Sequence, residues 1–154
     1  MKIAFVTNIP SPYRVNFFNE WGKHCDLTVF FEKRQSDERD KSWNNHEFKN
    51  FKAVFLTGIK SDADKALSFE ICKHLKKGAF DNIVISNAMT PTGIVAILYM
   101  RARKIPYWVE GDGGFAKNGK GYKEKIKHFL LKGSKGCFST SAAHDRYYKT
   151  YGVI

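Results

Sequence analysis

Short apolar segments alternate with amphipathic segments along the chain, and this alternation restricts the fold more than any other feature. Between the apolar segments, apolar residues recur at helical spacing. The predicted strands are residues 2–7, 26–31, 53–56, 82–86, 106–109 and 136–140. Strands that alternate with helices form parallel sheets covered on both faces. The predicted fold class is therefore α/β, a three-layer α/β/α sandwich with a mostly parallel, doubly wound sheet of about six strands.

Capping residues set the bounds of the predicted helices. Pro12 opens the first helix, whose apolar face comprises Val15, Phe18, Trp21 and Cys25. Ser61 is predicted to cap a helix that extends to Gly78, with an apolar face of Ala63, Leu67, Ile71 and Leu75. Further helices are predicted at 92–103 after Thr90, across the basic segment that follows the fifth strand, and after Ser141 as far as Tyr151. The polar segment 32–52 is predicted to be an irregular connection.

Composition excludes several classes of protein. The chain has 154 residues, enough for one domain with a sizeable core, and its 43% apolar content excludes a disordered chain. It has no run of roughly 18 apolar residues, the length that spans a membrane. Its three cysteines are far apart and its histidines form no metal-ligand spacing. We therefore expect a cytoplasmic protein with no metal and no resident cofactor.

The net charge of +11 predicts an anionic partner. Between Lys117 and Lys135 there are seven lysines and a single acidic residue. This basic helix could lie on an anionic membrane, or it could be an ordinary docking helix. We expect its apolar residues Ile126, Phe129 and Leu130 to cover the sheet, so that only the lysines could meet a membrane. No nucleic-acid-binding motif is present, and no nucleic-acid partner is expected.

Candidate binding residues follow the strands at their carboxyl ends. Right-handed crossovers bring these ends to one edge of a parallel sheet, where ligands bind. The candidates are Pro10, Ser11 and Arg14 after the first strand, Asn87 after the fourth, and Glu110, Asp112, Gly113 and Gly114 after the fifth.

Each candidate has a chemical role and a structural alternative. The proline-rich loop 10–14 could present Ser11 and Arg14 to a phosphate or carboxylate, or simply separate strand from helix, with Arg14 in solvent. Asn87 could bind sugar hydroxyls or form an Asx turn. Glu110 and Asp112 could bind hydroxyls or transfer protons, or lie in a solvated glycine-rich turn. No catalytic residue is assigned.

The first strand and loop, KIAFVTNIPSPYR at 2–14, resemble the opening of bacterial nucleotide-sugar glycosyltransferases of the GT-B fold, in the retaining family 4 group. Segments 88–107 and 139–152 are similar to the middle and end of their first domain. The resemblance implies two Rossmann-like domains, of which the first binds the acceptor. The second binds most of the nucleotide sugar and carries a Glu-x7-Glu signature, which this chain lacks.

The resemblance therefore implies that 1–154 is one Rossmann-like domain, the N-terminal acceptor-binding half of a two-domain enzyme and inactive alone. The abrupt end after a helix, at Val153 and Ile154, agrees with a longer protein. The implied partners are a nucleotide-sugar co-substrate and a glycan or lipid-phosphate acceptor, in bacterial surface polysaccharide or glycolipid synthesis at the inner face of the membrane. Two departures are the absence of glycines from the first loop and Asn87 where a histidine is common.

Two other hypotheses remain open at this stage. The chain could be a self-contained, flavodoxin-like module that binds an anionic small molecule, which predicts a complete site within these residues. It could also bind nucleic acid, which predicts an affinity that falls steeply with salt.

Overall fold

A computed structural model describes residues 1–35, 47–111 and 121–153 of the chain, and it confirms the predicted fold class. The elements in chain order are β1 (Lys2–Thr7), α1 (Pro12–Trp21), β2 (Asp26–Phe31), β3 (Lys52–Phe55), β4 (Ile59–Asp62), β5 (Lys65–Leu67), α2 (Ile71–His74), β6 (Asn82–Ser86), α3 (Pro91–Ala102), β7 (Trp108–Gly111), α4 (Tyr122–Lys132), β8 (Cys137–Ser139) and α5 (Ala142–Thr150). The main sheet has six strands in the order β3-β2-β1-β6-β7-β8, and all the paired neighbours are parallel.

Helices pack on both faces of this sheet and produce the three predicted layers. On one face, α1 buries Val15 and Phe18 against β1 and β2, and the ring centroids of Phe5 and Phe18 lie 4.9 Å apart. On the other face, α2 to α5 bury a second apolar cluster that includes Ile97, Met100 and Leu130. Each strand in the centre of the sheet is therefore buried from both sides, which explains its continuous apolar sequence.

Two predicted helix caps are confirmed. Thr90 precedes α3, and its Oγ1 accepts a hydrogen bond from Gly93 N at 3.0 Å, with Pro91 at the first helical position. Ser141 precedes α5, and its Oγ accepts from His144 N at 3.3 Å. Helix α1 begins at Pro12 as predicted but ends at Trp21, after which Lys23 N and His24 N donate to carbonyls only three residues back and the chain then enters β2.

The predicted helix from Ser61 to Gly78 is wrong. The chain instead forms an antiparallel hairpin of β4 and β5, and only the four residues Ile71–His74 are helical. The cause is the backbone of Ala66, whose N–H donates to Glu32 Oε2 at 3.0 Å and whose carbonyl accepts from Thr92 Oγ1 at 2.6 Å. An extended backbone can offer both groups to partners outside its own segment, whereas a helix would use them internally.

Smaller corrections concern the second half of the chain. Strand β7 begins two residues later than predicted, at Trp108, so Glu110 belongs to the strand, and β8 is shorter than predicted. Helix α4 covers the sheet through Leu130 and Leu131, whereas Ile126 and Phe129 are exposed, so the burial predicted for these two residues is wrong. Tyr107 Oη donates to Leu130 O at 2.6 Å, which helps to fix the face that α4 turns inward.

The strand order reverses between β1 and β6. From β1 the sheet grows through β2 to β3 in one direction, and from β6 it grows through β7 to β8 in the other. The loops after β1 and β6 therefore leave the sheet in opposite directions and open a crevice at the carboxyl edge, the usual ligand position in doubly wound folds.

Candidate functional site

A cavity of about 320 Å³ lies at this reversal of strand order. It lies within the range of ligand pockets, roughly 300–1,000 Å³. Three strand ends and helices α4 and α5 contribute to it, together with the β4–β5 hairpin. The lining residues are Asn8, Lys65, Asn87, Ala88, Met89, Thr90, Glu110, Gly111, Leu131, Tyr147 and Tyr148.

An ion pair between Arg14 and Glu110 joins the two halves of the sheet beside the cavity. Arg14 Nη2 donates to Glu110 Oε1 at 3.0 Å and to Oε2 at 3.1 Å, and it lies 3.5 Å from Ser86 Oγ. Arg14 is 6% exposed and Glu110 is 9% exposed. The alternatives of a solvated arginine and a solvated acidic turn are therefore wrong for these two residues. Such a pair fixes α1 against the end of β7, because separating the two buried charges would break their shared hydrogen bonds where water cannot replace them.

Asn87 occupies the turn between β6 and α3. Its φ of 57° is in the left-handed region, which asparagine tolerates better than most residues. Its backbone N–H donates to Glu110 O at 3.1 Å, and its carbonyl accepts from Thr90 N at 2.9 Å. These backbone bonds close the turn, and this exposed residue lines the cavity.

Two features of the lining make the electrostatic potential in the cavity more positive. Ala88, Met89 and Thr90 line it immediately before α3, and the N-terminus of a helix carries a partial positive charge. Lys65 also lines it from the hairpin, where its ammonium forms an exposed ion pair with Asp62 at 3.1 Å. The cavity thus combines groups that attract phosphate with amide and hydroxyl groups that bind polyols.

Sequence reasoning missed Glu32, a buried acid behind this wall of the cavity. It is 2% exposed, its Oε1 accepts from Thr90 Oγ1 at 2.5 Å, and its Oε2 accepts from Ala66 N. Burial raises the pKa of this carboxyl, and the two hydrogen bonds oppose that rise. The sequence signal that could have identified Glu32 is its position directly after the buried strand 26–31, which is equivalent to the position of Asn8 after β1.

The remaining candidates are only partly brought together. Pro10 and Ser11 are buried at the start of α1, outside the set of residues that lines the cavity. Asp112, Gly113 and Gly114 lie outside the described residues, so the prediction for them is not tested. Asn8, Lys65, Tyr147 and Tyr148 line the cavity and were not predicted to do so. Loop and helix residues of this kind have no distinctive pattern in the sequence.

Within the described parts of the chain, no three histidine, cysteine, aspartate or glutamate side chains form a group that could hold a metal ion. In the same ranges, none of the helices is long and apolar enough to cross a membrane. His144 is buried near the carboxyl end of β8, where its Nδ1 lies 3.3 Å from Thr140 Oγ1.

Comparison with known proteins gives a fold relationship. The chain is similar in structure to the UDP-N-acetylglucosamine 2-epimerase of Rickettsia bellii, with a TM-score of 0.56 and 12% sequence identity. The similarity covers 100% of this chain and 42% of the epimerase, so this chain spans less than half the length of that protein. At this identity the likeness shows a shared Rossmann-like α/β fold. No protein-family model and no curated protein matches the sequence.

Proposed function

We propose that this chain is the acceptor-binding domain of a nucleotide-sugar-dependent glycosyltransferase of the retaining type. The observation that carries the proposal is the cavity at the strand reversal, where amide, carboxylate and cationic groups lie beside the N-terminus of α3. The name of the structural neighbour, an epimerase of UDP-N-acetylglucosamine, supports a link to nucleotide sugars. The resemblance of 2–14 to family 4 enzymes supports glycosyl transfer in particular.

The proposal assigns separate roles to the residues around the cavity. The Asn87 amide and the Glu110 carboxylate bind sugar hydroxyls, since together they offer donors and acceptors. Lys65 and the N-terminus of α3 attract a phosphate of the acceptor or of the nucleotide sugar. Arg14 is a positioning residue, because its guanidinium is held against Glu110. The catalytic groups are not assigned, and in this proposal a second domain supplies most of the nucleotide-sugar site.

The proposed setting is bacterial surface polysaccharide or glycolipid synthesis, with a glycan or lipid-phosphate acceptor. Two observations would test it directly. The reading frame beyond Ile154 should encode a second domain that contains Glu-x7-Glu. The complete gene product should transfer labelled sugar from a nucleotide sugar to a cell lipid or glycan fraction. Failure of transfer with every nucleotide sugar in a broad panel would overturn the proposal.

Binding to the cavity can be measured on this chain by NMR. Labelled protein should show chemical-shift changes at cavity residues with UDP-N-acetylglucosamine, UDP-glucose or a sugar phosphate. Asn87→Gly removes the amide and keeps the left-handed backbone available, so it should weaken binding without unfolding the chain. Lys104→Gly is the matched control, because Lys104 has a φ of 55° and follows α3 at its other end. Equal effects of the two variants would argue against a role for Asn87 in binding.

A second candidate function is a self-contained module that binds an anionic small molecule. The observation that favours it is that three strand ends, the hairpin and helices α4 and α5 of this one chain all contribute residues to the cavity. It predicts tight binding of a sugar phosphate or nucleotide to this chain alone. The glycosyltransferase proposal instead predicts weak binding here and strong binding only with the second domain present.

A further inference from the structure

Helix α4 has two apolar faces, and the sheet uses only one of them. Leu130 and Leu131 are buried against the sheet. Tyr122, Ile126 and Phe129 are 68%, 42% and 49% exposed. These three residues follow one another at four and then three positions, so they form a single stripe along the helix. We call this set the α4 stripe.

Cationic side chains flank the α4 stripe. Lys123, Lys125 and Lys132 are exposed on the same helix. From α3, Arg101 places its guanidinium 4.0 Å from the centre of the Phe129 ring and donates to Phe129 O at 3.2 Å. Leu98, one turn before Arg101, is also 47% exposed. The apolar surface thus continues from α4 toward α3 and remains surrounded by positive charge.

The acidic residue of this helix is turned away from the stripe. Glu124 forms an ion pair with Lys127 at 3.4 Å and accepts a hydrogen bond from Tyr151 Oη of the α5 side. Its charge is therefore compensated on the inner side of α4. The outward surface combines aromatic and aliphatic groups with the exposed cations Lys123, Lys125 and Lys132, the composition of helices that lie in a membrane interface.

We propose that the α4 stripe docks this protein on an anionic lipid bilayer. Tyr122, Ile126 and Phe129 enter the region between headgroups and acyl chains, while the lysines contact lipid phosphates. The apolar part of each lysine can lie along the interface with its ammonium in the headgroup layer. A second copy of the chain is a poorer occupant, because it would bring the lysines of two α4 helices together. The proposal does not depend on the sugar chemistry.

The topology relates this surface to the cavity. Parallel strands β7 and β8 are joined through α4, so α4 runs opposite to them and its first residue, Tyr122, is the end nearer the carboxyl edge. The cavity opens at that same edge. If the proposed function is also correct, a lipid-linked acceptor would approach from the end of the helix that lies in the membrane interface.

Vesicle sedimentation tests the proposal with the protein as it exists. Vesicles of phosphatidylcholine with and without phosphatidylglycerol are compared at low and high salt. The wild-type protein should bind the anionic vesicles, and salt should weaken this binding without abolishing it, because the apolar contribution is not screened. Ile126→Gln combined with Phe129→Gln should lower the partition coefficient about tenfold or more. The control, Ile59→Gln with Phe69→Gln, removes two apolar residues that are 74% and 67% exposed and should leave binding unchanged.

A second variant reports on insertion while keeping an aromatic ring. With Phe129→Trp, anionic vesicles should shift the tryptophan emission to shorter wavelength, and brominated lipid should quench it. A triple Lys→Gln variant at 123, 125 and 132 should lose the preference for anionic lipid.

The membrane proposal is overturned if the wild type stays in the supernatant with anionic vesicles at low salt, or if both double variants lose binding equally. Self-association of the wild type without lipid is the other outcome to check. If Ile126→Gln combined with Phe129→Gln abolishes it, the surface is instead assigned to a second copy. The nucleotide-sugar titrations contain no lipid, so their failure is distinguishable from failure here.

Discussion

The Glu32 carboxylate and the Thr90 hydroxyl lie 2.5 Å apart in the interior and join β2 to the start of α3. Thr90 Oγ1 also accepts from Gly93 N, so the same oxygen caps the helix and donates to the acid. The other carboxylate oxygen holds Ala66 of the hairpin. One buried acid thus links the hairpin to the cap of α3, and Lys65 of the hairpin and the cap residue Thr90 both line the cavity.

Replacement of Thr90 should therefore cost more than the loss of a helix cap. Thr90→Ala removes the cap and leaves Glu32 with an unsatisfied buried oxygen, and we expect a loss of about 2–4 kcal/mol in the free energy of unfolding. Ser141→Ala is the matched control, because Ser141 caps α5 without bonding to a buried acid, and it should cost about 1 kcal/mol. Urea denaturation of both variants gives the comparison. Equal losses would show that the Glu32 contact contributes nothing.

The raised pKa of Glu32 predicts how stability depends on pH. A carboxyl whose folded pKa exceeds its unfolded value binds more protons in the folded state, so its contribution to stability falls as pH rises. The fall begins near the unfolded value of about 4.3 and ends above the raised folded pKa. Glu32→Gln removes this group, so the unfolding free energy of the variant minus that of the wild type should increase with pH in this window.

The measurement is urea denaturation of wild type and Glu32→Gln across the acid to neutral range. Glu20→Gln is the control. Glu20 is exposed and its hydrogen bond to Lys23 lowers its pKa, so the corresponding difference should be flat or change in the opposite direction. The raised pKa would be contradicted if the unfolding free energy of Glu32→Gln minus that of the wild type grew as pH fell.

Local patterns in the sequence predicted the elements that depend on local chemistry. The apolar segments at 2–7 and 82–86 became central strands, Thr90 caps α3 after β6, and Ser141 caps α5 after β8. The helix predicted from Ser61 failed because Glu32 and Thr92, distant along the chain, take the backbone groups of Ala66. Helical spacing contains no information about such partners.

The candidate site was predictable only in part for the same reason. Residues predicted to follow strands directly, such as Asn87 and Glu110, could be assigned to the cavity edge from topology alone, although Glu110 is in fact the third residue of β7. The burial of Arg14 could not, because it requires the Glu110 carboxylate 96 positions away. The exposure of Ile126 and Phe129 depends on which face α4 turns to the sheet, and Leu130 and Leu131 decide that face.

The buried ion pair predicts a strongly non-additive pair of substitutions. Arg14→Met removes the guanidinium from the buried Glu110 carboxylate, and Glu110→Met removes the carboxylate from buried Arg14, so each should cost about 3–5 kcal/mol. The double variant removes both charges of the pair, and its loss should be well below the sum of the two. Urea denaturation of the wild type, the two single variants and the double variant measures the coupling free energy between Arg14 and Glu110. Lys23→Met breaks the exposed pair with Glu20 and should change little. Additive losses at Arg14 and Glu110 would mean that the two charges are not coupled.

The close approach of Gly111 to Tyr148 predicts a substitution whose effect depends on its background. A Cβ at Gly111 would lie 2.9 Å from Tyr148 Oη, closer than an ordinary contact. Gly111→Ala should therefore cost about 1–3 kcal/mol in the wild type, as overpacking does. Tyr148→Phe removes that oxygen. In this background, Gly111→Ala should be neutral or stabilising by about 0.4–1 kcal/mol, because alanine restricts the unfolded chain. Thermal and urea denaturation of the wild type, the two single variants and the double variant measures the cost of Gly111→Ala in each background. The same cost in both backgrounds would show that the strain is not at Tyr148.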